Sequence, residues 1–184
     1  MVLTTRLYTT EDLWTMPSDE PWELWDGELK KVPSAGGEAS GIAAQVIISI
    51  GIYLRATKLG HITGADGSYV LFRENGRDTV VVPDVAFVRW DRLPDGKPPK
   101  RHVTIPPDLA VEVQSPSDEP ADMAAKRALY ARAGVPLLWW VDPITRTVTI
   151  HRPGHPPITF TGTDTLDGAD VLPGLAIPLA DIFS

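Results

Sequence analysis

Apolar residues recur every three or four positions in two segments of the chain, which is the pattern of a helix with one face in a core. The first segment is 41–58 and the second is 119–133. Ser117 or Asp118 precedes the second segment and can act as its N-cap, since either side chain can accept a hydrogen bond from the first backbone amides. The sequence therefore predicts two main helices.

Apolar runs between and after these helices predict β-strands. Three runs lie between the helices, at 61–73, 79–89 and 108–115, and the segments LLWWVD and TVTIHR follow the second helix. Near the N-terminus, WELWDGELKKV alternates around an Asp-Gly pair, the strongest short signal for a β-hairpin. We expect one α/β domain over residues 1–184, with an αβββαβ core at about 41–152 behind an N-terminal hairpin.

The amino-acid composition excludes several kinds of functional site. The chain has 184 residues and no cysteine, which excludes disulfides, thiolate zinc sites and cysteine nucleophiles. The four histidines show no ligand spacing, so oxygen ligands are expected for any metal ion. The first residues lack the apolar segment of a secretory signal, and no run approaches the ~20 apolar residues of a membrane span. We therefore expect a cytoplasmic protein without a membrane partner.

The charge of the chain opposes nonspecific attraction to phosphate backbones, because the formal net charge is −7 at pH 7. The segment 120–152 is nevertheless basic and contains only two acidic residues, Asp122 and Asp142. Its cationic residues are Lys126, Arg127, Arg132, Arg146 and Arg152. A local basic face is therefore compatible with the acidic chain.

Asp84 is the first candidate functional residue, because its neighbours in TVVVPDVAFV are apolar on both strand faces. A buried carboxylate is costly unless a cation, a network of donors or a metal ion compensates it. The alternative interpretation is a Pro-Asp turn or a hydrogen bond at the end of a strand. Either way, Asp84 needs a partner.

Glu112 is the second candidate, in the run PPDLAVEVQSPS. It shares a strand face with Ala110 and Gln114, opposite the apolar face of Leu109, Val111 and Val113, so one face is expected to be core and the other polar. The alternative is an ordinary solvated face. If strands 79–89 and 108–115 are neighbours, Glu112 and Asp84 can converge as two hard oxygen ligands, of the kind that Mg²⁺ accepts.

Lys126 is the third candidate. Asp122, Lys126 and Tyr130 are spaced at i, i+4 and i+8 on the second helix, so they share one face. The lysine can reach a carboxylate site from that face. The alternative is a surface ion pair between Lys126 and Asp122.

Five segments of the chain carry a family resemblance: ELWDGEL, PDVAFV, PDLAVEVQSPSD, KRALYARAGVPLLWWVDP and LPGLAIPLADIF. In this order and spacing they resemble the Uma-two family of bacterial endonucleases, from about residue 8 to the end of the chain. That family belongs to the PD-(D/E)XK restriction-endonuclease-like superfamily. The resemblance implies a restriction-endonuclease-like fold, with a mixed central β-sheet flanked by helices.

The resemblance also implies roles for particular residues. Asp84 matches the aspartate of the PD motif and Glu112 the acidic residue of the following strand, so both would be catalytic and would bind Mg²⁺ or Mn²⁺. The lysine of the superfamily falls at Gln114 in this chain, and Lys126 of the next helix would replace it. Glu23 matches a glutamate typical of the family and would add or orient a ligand; a surface charge on the hairpin is the alternative.

One further departure from the family lies after the first PS segment. Many members carry a histidine there, whereas this chain has Ala39 or Ser40 at the corresponding position. Together with Gln114, this departure bears on catalytic competence.

The resulting hypothesis is a Mg²⁺-dependent endonuclease that hydrolyses phosphodiester bonds in DNA. Homodimerisation is expected, because double-strand cleavage favours two sites related by a two-fold axis. A catalytically weak or inactive module that binds nucleic acid or protein on the same fold is the alternative. A glycosidase using the same acid pair is a third reading, disfavoured because the tryptophans lie mostly in apolar runs typical of strands.

Overall fold

The computed structural model describes residues 6–16, 21–32 and 35–184. Within these ranges the helices are α1 (Thr10–Thr15), α2 (Gly37–Thr57), α3 (Pro120–Arg132) and α4 (Leu179–Ile182). The strands are β1 (Trp22–Trp25), β2 (Glu28–Lys31), β3 (Gly60–Gly64), β4 (Tyr69–Glu74), β5 (Arg77–Val81), β6 (Val85–Arg89), β7 (Leu109–Val113), β8 (Leu137–Asp142), β9 (Thr147–His151), β10 (Ile158–Phe160), β11 (Thr165–Gly168) and β12 (Leu172–Pro178).

A six-stranded mixed sheet organises the fold, in the order β10-β9-β8-β7-β6-β3. Strands β7 and β8 are parallel, and every other neighbouring pair in this sheet is antiparallel. A parallel pair requires a crossover connection, and α3 provides it between β7 and β8. The predicted neighbourhood of the strands at 79–89 and 108–115 is confirmed, because β6 pairs with β7.

Both faces of the central sheet are buried. Alternate residues of β6 and β7, such as Phe87 and Val111, face a core that α2, α4 and the β11–β12 hairpin cover. Ala86 and Ala110 face a second core, shared with α3 and with β4 and β5. The expectation of one core face and one polar face on strand β7 is therefore wrong: Glu112 lies on a face that other elements cover.

Two of the predicted strands are each divided in two, because a turn or a proline interrupts them. The run 61–73 forms β3 and β4, separated by a turn in which the Gly67 amide donates to the Gly64 carbonyl. The run 79–89 forms β5 and β6, separated at Pro83, which has no amide hydrogen to continue a ladder. The predicted order of helix, three strands, helix and two strands is corrected accordingly.

Strands β4 and β5, from the two divided runs, join β1 and β2 in a second sheet of four strands. Its order is β2-β1-β5-β4. Its β1–β2 hairpin turns at Asp26 and Gly27, both with positive φ, as the Asp-Gly pair predicts. Helix α1 covers this sheet through Leu13, which packs against Leu24 and Val80. The N-terminal hairpin is thereby held next to the central sheet, where it contributes to the candidate site.

Neither main helix begins at the residue that the sequence predicts. Helix α2 starts at Gly37, earlier than residue 41. Helix α3 has Glu119 as N-cap residue without a side-chain cap, so the prediction of Ser117 or Asp118 is wrong. The Asp118 carboxylate instead accepts a hydrogen bond from the Ser115 amide, at 2.8 Å, which commits it to the preceding turn.

Helix α2 is the one helix of the described residues that is long and apolar enough, by length and composition, to cross a membrane. The expectation that no run approaches the ~20 apolar residues of a membrane span is therefore corrected for α2. Length and composition alone do not distinguish a membrane span from the core helix of a soluble domain. In this fold Val46 and Ile50 of α2 are fully buried against the central sheet.

Candidate active site

Asp84 lies at the break between β5 and β6. It immediately precedes β6, whose first residue, Val85, pairs with Val111, so Asp84 stands beside the end of β7 that carries Glu112. Its Oδ2 atom accepts a hydrogen bond of 2.7 Å from the Val113 amide. The strand-end hydrogen bond considered from the sequence is thus present. Within the described ranges no donor contacts the other oxygen, Oδ1, which leaves it available to a ligand.

Glu112 is buried, with 7% of its surface exposed. Its Oε1 atom accepts a 2.5 Å hydrogen bond from the Tyr130 hydroxyl, and its Oε2 atom accepts one of 2.9 Å from Lys126 Nζ. The reading of Glu112 as part of a solvated strand face is therefore wrong. Helix α3 supplies both donors, because Lys126 and Tyr130 are one turn apart on the face that covers β7.

Glu23 enters the site from the β1–β2 hairpin and is also buried, with 3% of its surface exposed. Its Oε1 atom accepts a hydrogen bond from the Val82 amide at 2.8 Å and lies 2.9 Å from Lys126 Nζ. Its Oε2 atom accepts from Trp25 Nε1 at 2.8 Å. Glu23 is consequently not a surface charge of the hairpin, and it links the second sheet to α3.

Lys126 turns inward and does not pair with Asp122. Its Nζ atom lies 2.9 Å from an oxygen of Glu23 and 2.9 Å from an oxygen of Glu112. Asp122 pairs instead with Lys30 of β2, at 3.0 Å. The surface-pair alternative for Lys126 is therefore wrong, and the lysine lies between two buried carboxylates.

These side chains line one cavity of about 170 Å³, which we call the acidic pocket and define by Glu23, Asp84, Glu112 and Lys126. Gln114, half-buried at the end of β7, lines the same pocket. The departure at Ala39 or Ser40 lies elsewhere: Ala39 is buried in the core under α2, and neither residue is part of the pocket lining.

Comparison with known protein families relates this arrangement to nucleases. A family model named Uma2 and described as "Putative restriction endonuclease" matches residues 9–180 of the chain. The chain belongs to the Uma2 family. The family predicted from the sequence segments is thus confirmed. Among curated proteins, none matches the chain.

Solved structures include a fold of the same kind. A structure described as "a putative nuclease belonging to DUF820" from Anabaena variabilis has a TM-score of 0.79 to this Uma2 chain, at 19% sequence identity. The similarity covers 95% of this chain and 97% of that chain. The fold class predicted from the sequence, a restriction-endonuclease-like mixed sheet flanked by helices, is confirmed.

Burial and mutual charge set the pKa values of the Uma2 acidic pocket, and burial acts first on the two carboxyls. It raises the pKa of Asp84 and that of Glu112, and for Glu112 the carboxylates of Asp84 and Glu23 act in the same direction. Burial disfavours the Lys126 ammonium, but the carboxylates of Glu112 and Glu23 outweigh it and raise the lysine's pKa. Lys126 is therefore protonated at neutral pH.

The oxygen ligands of the pocket fit a divalent cation bound by two carboxylates. The described residues contain no cluster of three or more His, Asp and Glu side chains arranged around a metal position. Mg²⁺, however, commonly binds proteins through only one or two carboxylates and keeps several waters. Asp84 and Glu112 supply that number of ligands, and Oδ1 of Asp84 is free of donors among the described residues. When Glu23, Asp84 and Glu112 are ionised, these three carboxylates exceed the one ammonium of Lys126 by two charges, which a divalent cation would balance.

Two contacts of the site were not predicted from the sequence. The Tyr130 hydroxyl binds Glu112, and the Trp25 indole binds Glu23. Both had a signal in the spacing: Tyr130 follows Lys126 by four positions on a helix, and Trp25 follows Glu23 by two positions on a strand. Each partner therefore lies on the same face as a residue that was predicted.

Proposed function

We propose that this protein is a metal-dependent endonuclease that hydrolyses phosphodiester bonds in DNA. The observation that carries the proposal is the acidic pocket, in which Asp84, immediately before β6, and Glu112 of the adjacent β7 face a single cavity with Lys126. Membership of a family described as restriction endonucleases supports the same reaction. Metal dependence and the DNA substrate are parts of the proposal.

Asp84 and Glu112 would hold Mg²⁺ or Mn²⁺, and Glu23 would position Lys126 beside it. When bound, such a cation polarises a phosphate and acidifies a water molecule. It also neutralises the pocket, which otherwise repels the anionic substrate.

Lys126 acts in this proposal as a positive charge and not as a base. Because its pKa is raised by Glu112 and Glu23 against the effect of burial, it keeps its proton near neutral pH. A protonated amine can donate to a phosphate oxygen as negative charge develops there, and one such donor is worth roughly 2.7–4 kcal/mol in a transition state. To reach the phosphate, Lys126 would exchange one of its two carboxylate contacts. The reaction needs no covalent intermediate.

The alternative is a nucleic-acid or protein-binding module, and one observation favours it. Both oxygens of Glu112 already accept hydrogen bonds from the protein's own donors, Tyr130 and Lys126. Such a saturated network can serve as a purely structural element. The alternative predicts binding without cleavage.

Cleavage of supercoiled plasmid DNA with Mg²⁺ or Mn²⁺ tests the proposal. We expect nicking by the parent protein that EDTA abolishes and that Asp84→Asn reduces by at least about a hundredfold, the usual scale for loss of a group that stabilises the transition state. Asp122→Asn is the matched control, because Asp122 lines the same cavity but pairs with Lys30 at the surface. Equal cleavage by the parent and Asp84→Asn, or no cleavage by the parent, would contradict the endonuclease assignment.

A homodimer is part of the proposal only for double-strand cleavage, since two strands of opposite polarity are most simply cut by two sites related by a two-fold axis. Light scattering on the purified protein measures the mass directly. A monomer that makes only single-strand nicks would remove the dimer and leave the chemistry unchanged.

A further inference from the structure

A second cavity lies against helix α3, beside the turn that joins β9 to β10. Its volume is about 440 Å³, within the usual range for a small-molecule site. Arg127 lines it from the helix, and His151, Arg152 and His155 line it from the end of β9 and the following turn. We call it the arginine cavity. It shares no lining residue with the acidic pocket.

The arginine cavity is basic in an acidic protein. No aspartate or glutamate lines it. Neither Arg127 nor Arg152 forms an ion pair with a carboxylate in the described part of the chain, whereas Arg89, Arg92 and Arg132 do. Two uncompensated guanidinium groups at one concave site attract an anion, and a guanidinium fork suits the oxygens of a phosphate.

A ring contact orients the Arg127 side chain, and a backbone hydrogen bond fixes the turn that carries Arg152. The Arg127 guanidinium carbon lies 4.8 Å from the ring centroid of Trp140, so the side chain is stacked and not freely mobile. On the other side, the His155 amide donates to the Arg152 carbonyl and closes the turn that carries Arg152. Burial, followed by the charge of Arg127, lowers the pKa of His151, whereas Arg127 and Arg152 carry permanent positive charge.

The arginine cavity and the acidic pocket are neighbours along α3. Lys126 lines the acidic pocket and the next residue, Arg127, lines the arginine cavity. Tyr130 lines the arginine cavity while its hydroxyl donates to Glu112 of the acidic pocket. Phosphates of one DNA strand follow each other at about 3.4 Å along the axis of a duplex. Because consecutive residues of α3 line the two cavities, a strand that crosses this helix would present phosphates to both.

We propose that the arginine cavity binds a backbone phosphate of the nucleic-acid strand whose scissile bond lies at the acidic pocket. Arg127 and Arg152 hold the phosphate and so fix the register of the strand, as phosphate contacts do in protein–DNA complexes. The identity of the ligand as a nucleic acid rests on the proposed function, whereas the anion site itself follows from the unpaired arginines. The site would also explain how a chain with a net charge of −7 retains a local attraction for DNA.

Binding of a fluorescent single-stranded oligonucleotide in EDTA, where a metal-dependent enzyme cannot cleave, tests the proposal. We expect Arg127→Gln/Arg152→Gln to weaken binding by about tenfold or more at low salt and to reduce the slope of log K against log salt by about 0.7, the value for one lost phosphate contact on a single strand. Arg55→Gln/Arg77→Gln is the matched control, because it removes the same charge at exposed arginines outside the cavity. Its affinity should stay within about threefold of the parent.

Three results would overturn the arginine cavity as a strand-binding site. They are equal loss of affinity in both double variants, no binding by the parent, and binding of deoxyadenosine 5′-monophosphate as tight as that of the oligonucleotide, which would indicate a free nucleotide as ligand. If Arg127→Gln unfolds the protein by releasing Trp140, the single variant Arg152→Gln carries the test, with Arg55→Gln as its control.

Binding and cleavage assays on the parent and on Arg127→Gln/Arg152→Gln distinguish failure of this inference from failure of the proposed function. Loss of DNA binding in the cavity variant, with no cleavage by the parent under any metal, would refute the endonuclease and support the phosphate site. Metal-dependent cleavage by the parent, with unchanged binding in the cavity variant, would refute the phosphate site alone.

Discussion

The Nζ atom of Lys126 lies 2.9 Å from the carboxylate of Glu112, and both side chains are largely removed from water. A buried ion pair of this kind gains little net stability from its formation, but removal of one partner leaves the other charge uncompensated. Glu23, at the same distance from Nζ, makes the lysine the only cation between two buried acids of the described site. This relationship governs the behaviour of most variants of the site.

Lys126→Ala should lower the free energy of unfolding by about 3–5 kcal/mol near pH 8, because Glu23 and Glu112 lose their common counter-charge. Lys30→Ala is the control, since its pair with Asp122 is exposed and should contribute less than about 1 kcal/mol. Urea denaturation of both variants measures the difference. Similar small losses in the two would show that Lys126 is not an essential counter-charge.

Tyr130→Phe should lower the free energy of unfolding by about 1.5–3 kcal/mol above pH 8, where Glu112 is ionised, the range for a hydrogen bond to a charged group. Tyr69→Phe removes a hydroxyl that is equally buried but bonds the neutral Thr63 at 2.9 Å, so it should cost only about 0.5–1.5 kcal/mol. Denaturation under identical conditions compares them. A larger loss in Tyr69→Phe than in Tyr130→Phe would show that the hydrogen bond to Glu112 is no stronger than one between neutral groups.

The metal-free protein should become less stable as the pH rises from 4.5 towards 8, through the effect of Glu112. Burial raises the pKa of this carboxyl in the folded state, so within that window the folded protein holds a proton that the unfolded protein has released. Glu112→Gln should flatten this part of the pH profile, measured by urea denaturation in EDTA. The exposed Glu38→Gln serves as control, and identical slopes in both variants would contradict the assignment.

Mn²⁺ should raise the thermal stability of the parent, because a ligand that binds only the folded state stabilises it by about 2.7 kcal/mol at a hundredfold excess over Kd. Asp84→Asn should lose the shift, since Asp84 offers the carboxylate oxygen that no donor occupies among the described residues. Asp122→Asn, in the same cavity, should retain it. Differential scanning calorimetry measures the effect, and a full shift in Asp84→Asn would place the ion elsewhere.

Gly60→Ala should destabilise the fold by about 1–3 kcal/mol or more, because an added Cβ would lie only 2.3 Å from the Val88 carbonyl oxygen and against the Phe87 ring. Gly51→Ala is the opposite case. Gly51 lies inside α2 with nothing within 4 Å of an added Cβ, so the change should stabilise the protein by about 0.5–1 kcal/mol. Thermal melts of the two variants should therefore move in opposite directions.

Local patterns in the sequence were sufficient for most elements of the fold. The Asp-Gly turn, helix α2 and helix α3 follow from turn chemistry and from a spacing of three to four residues, both of which are properties of the chain within a few positions. The prediction of one strand at 61–73 and one at 79–89 was wrong for a related reason. A continuous apolar run does not indicate where a strand leaves one sheet and enters another, and the proline at 83 marks that place only once two sheets are known to exist.

The candidate site was predicted in its members but not in its contacts. Asp84, Glu112 and Lys126 stood out as charged residues in positions that needed a partner. That Asp84 and Glu112 face one pocket depends on the pairing of β6 with β7, a contact between segments separated by about twenty residues of chain. Their roles as metal ligands and catalytic groups stay predictions.

By itself the sequence determined the family, the two main helices and the presence of acids whose burial requires compensation, because these depend on residue type and short-range spacing. Only the tertiary structure decided which cation compensates them. Lys126 had a neighbouring carboxylate at Asp122, one turn away, yet it pairs with Glu112 and Glu23, from β7 and from the hairpin. Water screens a surface ion pair until it is worth little, whereas two buried carboxylates demand a counter-charge, so long-range packing outweighed the local alternative.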